Sequence, residues 1–266
     1  MRTLCTFIFA SLFSLAQHAQ ARDGLFFEFG SRYNYVSYVE WDKGYAINED
    51  SGSIPTQTFN LGYQKPNHFY FEFVYYTGDN DVGYTGYSQT GQLIETDTKY
   101  FLDGTQYIFG KTFETTVVFI GYETNTRDRY IGASAITRPL TEYIEQKQGF
   151  VGFKQEVIHS KNYLVDFRFN AKMAFSSYMR VDFDGQFDNS GLHLGMDYTL
   201  TSNLYIGRRL PYDWMLGLNL NYEYTEIEQS DYVNLTRNGQ DFGAVFYHPY
   251  TEWETLAVGL SLSKNF

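Results

Sequence analysis

The stretch YLVDFRFNAKMAF, residues 163–175, decides the fold. Side chains of a β-strand point alternately to its two faces, so every second residue belongs to one face. One face here carries Tyr163, Val165, Phe167, Phe169, Ala171, Met173 and Phe175, and the other Leu164, Asp166, Arg168, Asn170, Lys172 and Ala174. A helix has a period of 3.6, so no single helical face gathers the first set. The same beat runs in both directions from this stretch. Downstream it sets Trp214, Leu216, Leu218, Leu220, Tyr222 and Tyr224 against Gly217, Asn219, Asn221 and Glu223. Upstream it sets Leu25, Phe27, Phe29, Tyr33 and Tyr35 against Glu28, Gly30, Arg32 and Asn34.

Two architectures produce such alternation. A soluble sandwich buries its apolar faces between two sheets, whereas a transmembrane β-barrel turns them to lipid and keeps polar residues in the lumen. Strand length separates the two. Globular strands average about 5–6 residues, and a membrane-crossing strand needs about 9–11. The alternating runs here are of the longer kind, and Tyr33, Tyr35, Tyr75, Tyr222 and Tyr224 gather at their ends, where a headgroup belt favours amphipathic rings.

Composition agrees with this reading and excludes others. The 266 residues include 25 Tyr and 24 Phe, against 5 Pro and 1 Cys. A single Cys cannot staple the fold, and a chain this aromatic is not intrinsically disordered. With 20 Lys+Arg against 31 Asp+Glu, the net charge of −11 leaves no basic surface for a nucleic acid. Beyond the N-terminus no apolar run approaches the roughly 20 residues of a membrane helix. Arg2, the apolar run 4–15 and Ala19-Gln20-Ala21 predict a signal peptide over residues 1–21, leaving 22–266 as the exported domain.

Connections give the topology. Short polar turns fall at Lys65-Pro66-Asn67-His68, around Thr112-Phe113-Glu114, at His159-Ser160-Lys161-Asn162 and at Leu210-Pro211-Tyr212-Asp213. Longer connections are expected over 38–55, 78–103, 125–147, 180–190 and 227–253. Short turns alternating with long loops fit an up-and-down barrel with tight periplasmic turns and long outer loops. This predicts an all-β antiparallel barrel of ten strands. Twelve is the alternative, if Thr201-Ser202-Asn203 were a turn and 241–247 a strand; Leu200, Leu204 and Ile206 stay in phase and favour ten.

The final stretch, LAVGLSLSKNF at 256–266, resembles the terminal signal of Gram-negative outer-membrane β-barrels, with alternating apolar residues and a C-terminal aromatic. Lys264 stands where that signal more often has an aromatic residue. The resemblance implies residence in the outer membrane, contact with its lipid and lipopolysaccharide, and recognition of Phe266 by the barrel-assembly machinery. It names no function.

Facing identifies the candidate lumen residues as Glu28, Arg32, Glu72, Lys154, Glu156, Asp166, Arg168, Lys172, Asp197 and Glu223. They either pair with one another across a narrow lumen or line a solute path. Barrels of about 8–10 strands are nearly filled by their own side chains, and open channels need about 16–18. A narrow or plugged lumen is therefore expected, with a transport or surface-interaction role, an unknown small solute or surface ligand, and no cofactor or metal. Arg127, Arg129 and Arg138 are read as cations of the third loop, placed to meet lipopolysaccharide or an acidic neighbour. The enzymatic alternative rests on a likeness to the omptin protease family. Gly78-Asp79-Asn80-Asp81 resembles its Asp pair, and His193, inward by parity, is the candidate base. The Asp–His pair of that family has no counterpart here, and Asp beside Gly is common in turns.

Overall fold

The computed structural model describes residues 24–87 and 91–266, so the expected signal peptide lies outside the described residues. In chain order the strands are β1 (Gly24–Asp42), β2 (Tyr45–Gln64), β3 (Phe69–Tyr87), β4 (Leu93–Phe113), β5 (Thr116–Ile131), β6 (Leu140–His159) and β7 (Tyr163–Asp182). They continue as β8 (Ser190–His193), β9 (Asp197–Arg209), β10 (Trp214–Ile227), β11 (Val233–Arg237), β12 (Gln240–Phe246) and β13 (Tyr250–Asn265). Neighbours from β1 to β7 pair in sequence, then β7 with β9, β9 with β10 and β10 with β13. The β1–β13 pairing, from Phe26↔Asn265 to Trp41↔Tyr250, closes the ring. The result is the expected closed antiparallel barrel of ten strands. Thr201, Ser202 and Asn203 lie within β9, paired to Glu223, Tyr222 and Asn221 of β10. A strand does form at β12, but it pairs only with β11 in a hairpin of the last outer loop. The short β8 pairs with the end of β7 and adds no stave to the ring.

The outer connections are shorter than the hydropathy pattern suggests, because the strands run on after the alternation fades. Residues 38–55 are almost entirely β1 and β2, joined at Lys43 and Gly44, both at positive φ (50° and 84°). Two consecutive left-handed residues suit a tight hairpin, because their twist matches that of the flanking strands. Strands of 19 to 21 residues in β1–β4 are about twice what a bilayer requires. The outward side chains show where the lipid zone ends. Phe29, Leu260, Leu262, Phe109, Ile120 and Leu216 form an exposed apolar band. Tyr35, Tyr75, Tyr107, Tyr122 and Tyr222 follow above it, on the outward face of their strands. Beyond those tyrosines the same face carries Asp79, Asp81, Lys99, Asp103, Glu252 and Glu254. The ladder is continuous while its surroundings change from hydrocarbon to water.

Inside, the barrel is packed in layers. Near the turns, Phe26, Tyr70, Ile108, Val117, Phe119 and Phe150 form a buried apolar cluster within the lumen. Inward glycines make room for these rings: a Cβ at Gly121 would lie 2.1 Å from the Phe150 ring, and one at Gly62 2.4 Å from Phe26. Toward the outer end a second cluster joins Val36, Tyr38, Ile54, Val82, Tyr100 and Trp253. Above it, the fourth and fifth loops fold onto the rim, where Leu192, Leu194 and Leu235 pack with Ile144, Met179 and Ile227.

Candidate functional site

Between the two packed layers lies a chamber of about 210 Å³ whose walls come from every stave of the ring. Its position follows from parity. Even residues of β1–β4, β6 and the first part of β7 face inward, as do odd residues of β5, β9, β10 and β13. Eight of the expected lumen residues line it: Glu28, Arg32, Glu72, Lys154, Asp166, Arg168, Lys172 and Glu223. Glu156 belongs to the layer below and Asp197 is buried beside the chamber, where it accepts from Gln146 and Gln148.

Most of these charges meet partners. Lys172 Nζ lies 2.7 Å from Glu123 Oε2 and 3.3 Å from Glu223 Oε2. Glu123 also accepts from the Tyr76 hydroxyl at 2.8 Å, and Glu223 from the Thr201 hydroxyl at 3.1 Å. Arg168 pairs with Glu72 and donates to the Tyr70 hydroxyl at 2.8 Å. In a poorly hydrated lumen such pairing is needed, because an isolated buried charge costs several kcal/mol or more.

The layer below continues this network. Lys154 donates to Gln64 at 2.5 Å, and Gln64 donates to Glu156 at 3.1 Å. His159 contacts Glu156 at 3.1 Å through Nδ1, while Arg209 approaches its Nε2 at 2.5 Å. His159, at the edge of a turn, is thus tied into the lumen and not simply solvated. Polar bonds and the aromatic cluster close this end together.

The upper layer is built around Arg129, the residue that sequence reading misplaced. Arg129 is fully buried and inward on β5, outside any loop. Its Nη1 lies 2.8 Å from Glu40 and 2.9 Å from Glu142, and its Nε 2.8 Å from Asp50. The guanidinium also stacks 4.2 Å from the Tyr38 ring, and Tyr100 donates to Asp50. Arg127, two residues earlier and on the same face, stacks 3.9 Å over Trp253, which lines the chamber roof. Neither arginine projects to the outside; of the three, only Arg138 is exposed, within 3.5 Å of the Asp184 carbonyl. The missed signal was parity: Glu123, Asn125, Arg127 and Arg129 continue one inward face past the tyrosine girdle.

His248, between β12 and β13, seals the roof from above. Its Nε2 lies 3.3 Å from the Tyr38 hydroxyl, and its backbone N–H donates to Ser230 Oγ at 2.8 Å. Burial holds this imidazole neutral and pushes its pKa down to about 4, with Arg129 and Arg127 adding to the shift and Glu40 opposing it. Farther out, Asp188 ties the fourth loop to the β11–β12 hairpin by accepting from Thr236 and from the Asn238 and Gly239 N–H groups. Those bonds, the Gly239 N–H foremost, hold its carboxyl below the usual range.

The residues of the protease-like alternative do not come together. Asp79 and Asp81 sit within β3 and not in a loop, with exposed side chains on the outward face, opposite Phe101 and Lys99 of β4. His193 is exposed as well: it pairs with Tyr178, an outward residue of β7, and its ring packs edge-on at 5.3 Å against that tyrosine. The inward reading fails because β6 and β7 slip by one residue between Lys147 and Gln148, which reverses the facing of the upper part of β7. β3 and β7 stand four staves apart around a ring of ten, so outward groups on them point away from each other. A water shared between base and carboxylates needs hydrogen-bond reach. Leu192 and Leu194, on either side of His193, point the other way, into the core of the outer cap.

No family model matches the sequence, and no curated protein does. Solved structures do resemble the fold. The outer membrane protease OmpT from Escherichia coli aligns over 95% of this chain and 100% of its own, with a TM-score of 0.55 at 7% identity. The translocator domain of the autotransporter NalP from Neisseria meningitidis aligns over 100% and 96%, with a TM-score of 0.45 at 9% identity. The toluene transporter TodX from P. putida aligns over 92% and 91%, with a TM-score of 0.38 at 10% identity. At such identities the OmpT match speaks for the barrel fold alone, and the other two carry no argument. The shared feature is the closed antiparallel barrel.

Proposed function

We propose that this outer-membrane-type barrel is a gated passage for small polar solutes, held shut in the conformation described and without chemistry of its own. One observation carries the reading: a polar chamber sits midway along the lumen, between two closing layers. A barrel acting only as a scaffold has no need of an internal polar chamber, since inward apolar packing like that of Phe26, Phe119 and Phe150 would stabilise it equally well. A barrel serving as an open pore has no need of the layers. The outer cap favours a second reading, in which the folded fourth and fifth loops present a binding surface, because loops on a rigid scaffold commonly carry recognition.

Uptake into liposomes separates the two. Vesicles holding the full barrel should admit radiolabelled glucose slowly, yet faster than protein-free vesicles. Trp253→Ala combined with Phe150→Ala, which removes one ring from each closing layer, should raise the rate. Uptake no faster than in empty vesicles, for both proteins, would overturn the passage reading and leave the cap as the working surface.

A further inference from the structure

Most polar groups that line the chamber have a job within the protein, and a few do not. Lys172 pairs with Glu123 and Glu223, and Arg168 with Glu72. By contrast the side chains of Asn60, Asn125, Asn170, Asn203 and Asn221 line the same chamber and make no hydrogen bond to any described residue. The Asn60 and Asn170 amide oxygens are withdrawn from the surface and without a partner. Arg32 and Arg127 are chamber cations that form no ion pair with a described residue, and Arg32 Nε and Arg127 Nη1 are also unpartnered. Buried polar atoms are satisfied in more than about 90% of cases, so the Asn60 and Asn170 oxygens, Arg32 Nε and Arg127 Nη1, left over around one space beside three half-buried amides, are a surplus that the barrel's own packing does not use.

We infer that the chamber is a binding site for a small, uncharged polyhydroxyl solute of monosaccharide size. A hydroxyl both donates and accepts, and so does an amide side chain. Five amides from β2, β5, β7, β9 and β10 therefore surround the ligand with both kinds of group. The charges argue against a simple ion. The wall sets five cations, Arg32, Arg127, Lys154, Arg168 and Lys172, against five carboxylates, Glu28, Glu72, Glu123, Asp166 and Glu223. Neither a free anion nor a free cation therefore finds an unopposed field, while Arg32 and Arg127 have N–H groups to offer a hydroxyl oxygen. Polar lining argues against a hydrocarbon, whose entry would leave those amides unsatisfied. The inference rests on the passage reading for its biological sense, but binding itself needs no passage and is measured separately from uptake.

The test is calorimetric titration of the detergent-solubilised full barrel with glucose, inorganic phosphate and toluene in turn. Saturable binding of glucose is expected, with no saturable binding of the other two. Asn60→Leu and Asn170→Leu each replace an amide that holds no internal hydrogen bond, so the fold should survive, as heat-modifiable gel migration would confirm. Each should weaken glucose binding at least tenfold, and Arg32→Met should weaken it too. Should both asparagine variants lose the folded gel band, the smaller Asn203→Ala and Asn221→Ala replace them in the same titration. Phosphate or toluene binding in place of glucose, no saturable binding at all, or unchanged affinity in folded variants would overturn the inference. Glucose binding without liposome uptake would leave the site standing and remove the passage.

Discussion

The two halves of the barrel share one set of strands and one hydrogen-bond ladder, yet their chemistry is opposite. Below the tyrosine girdle the outer face is Phe, Leu, Ile and Val, and the lumen is closed by an aromatic cluster backed by ion pairs. Above it the outer face bears Asp79, Asp81, Lys99 and Glu252, and the lumen is closed by a buried arginine among three carboxylates. The ladder is indifferent to this change. What differs is the medium on the outer face, so the same backbone is written in two alphabets. The contrast also shows two ways to shut a narrow tube: interlocking rings held in place by inward glycines, or a charge held by its counterions.

The largest expected effect falls on the upper closure. Arg129→Met strands Glu40, Asp50 and Glu142 without their cation, and removing one partner from a buried ion pair costs about 3–5 kcal/mol. Urea titration of the barrel in vesicles should show a midpoint shift of that order, and a neutral outcome would mean the cluster is hydrated. The lower half is expected to be sensitive on its outer face instead. Phe169→Arg places a charge in the lipid band at a cost of about 2–4 kcal/mol near the midplane. Asp79→Arg, on the same face but above the girdle, should change stability by less than about 0.5 kcal/mol. Equal damage from the two would erase the boundary between the halves.

A smaller effect should appear at the roof as pH falls. Folded His248 stays neutral to about pH 4, whereas an unfolded histidine takes up its proton near about 6.5. The unfolded state therefore binds more protons in that window, so stability is lost as pH drops from the upper value toward the lower. Glu40, Tyr38, Arg127 and Arg129 are the titratable neighbours that set this balance. Hydrogen exchange should show the segment joining Ser230 to His248 opening first across that window. His248→Gln should flatten the dependence; an unchanged profile would mean the opening belongs to another group.

The lower half was legible in the sequence because lipid and lumen impose opposite polarity on successive residues. Phe167, Phe169 and Met173 against Asp166, Arg168 and Lys172 fix facing, and facing with the turn positions fixes the number of staves. The upper half hid itself for the same reason. Once water bathes the outer face, Asp128 outside and Arg129 inside look alike, and a strand reads as a loop. Inward Phe119 and Phe150 were hidden differently, since an apolar residue on a polar face reads as noise until the glycine opposite it is seen. His193 was misfaced by a single slipped residue, which no hydropathy count records. The chamber's unpaired amides could be placed on the inward face, but which of them lack partners depends on side-chain geometry.

Planar-bilayer recording tests the central claim most directly, because it asks whether the two layers close one lumen in series. The unmodified barrel should show no steady openings. Trp253→Ala or Phe150→Ala alone should stay silent, each still blocked by the intact layer, whereas the double variant should conduct steadily. Sustained ohmic conductance from the unmodified protein, or from either single variant, would contradict a lumen shut at two levels with a polar chamber between them.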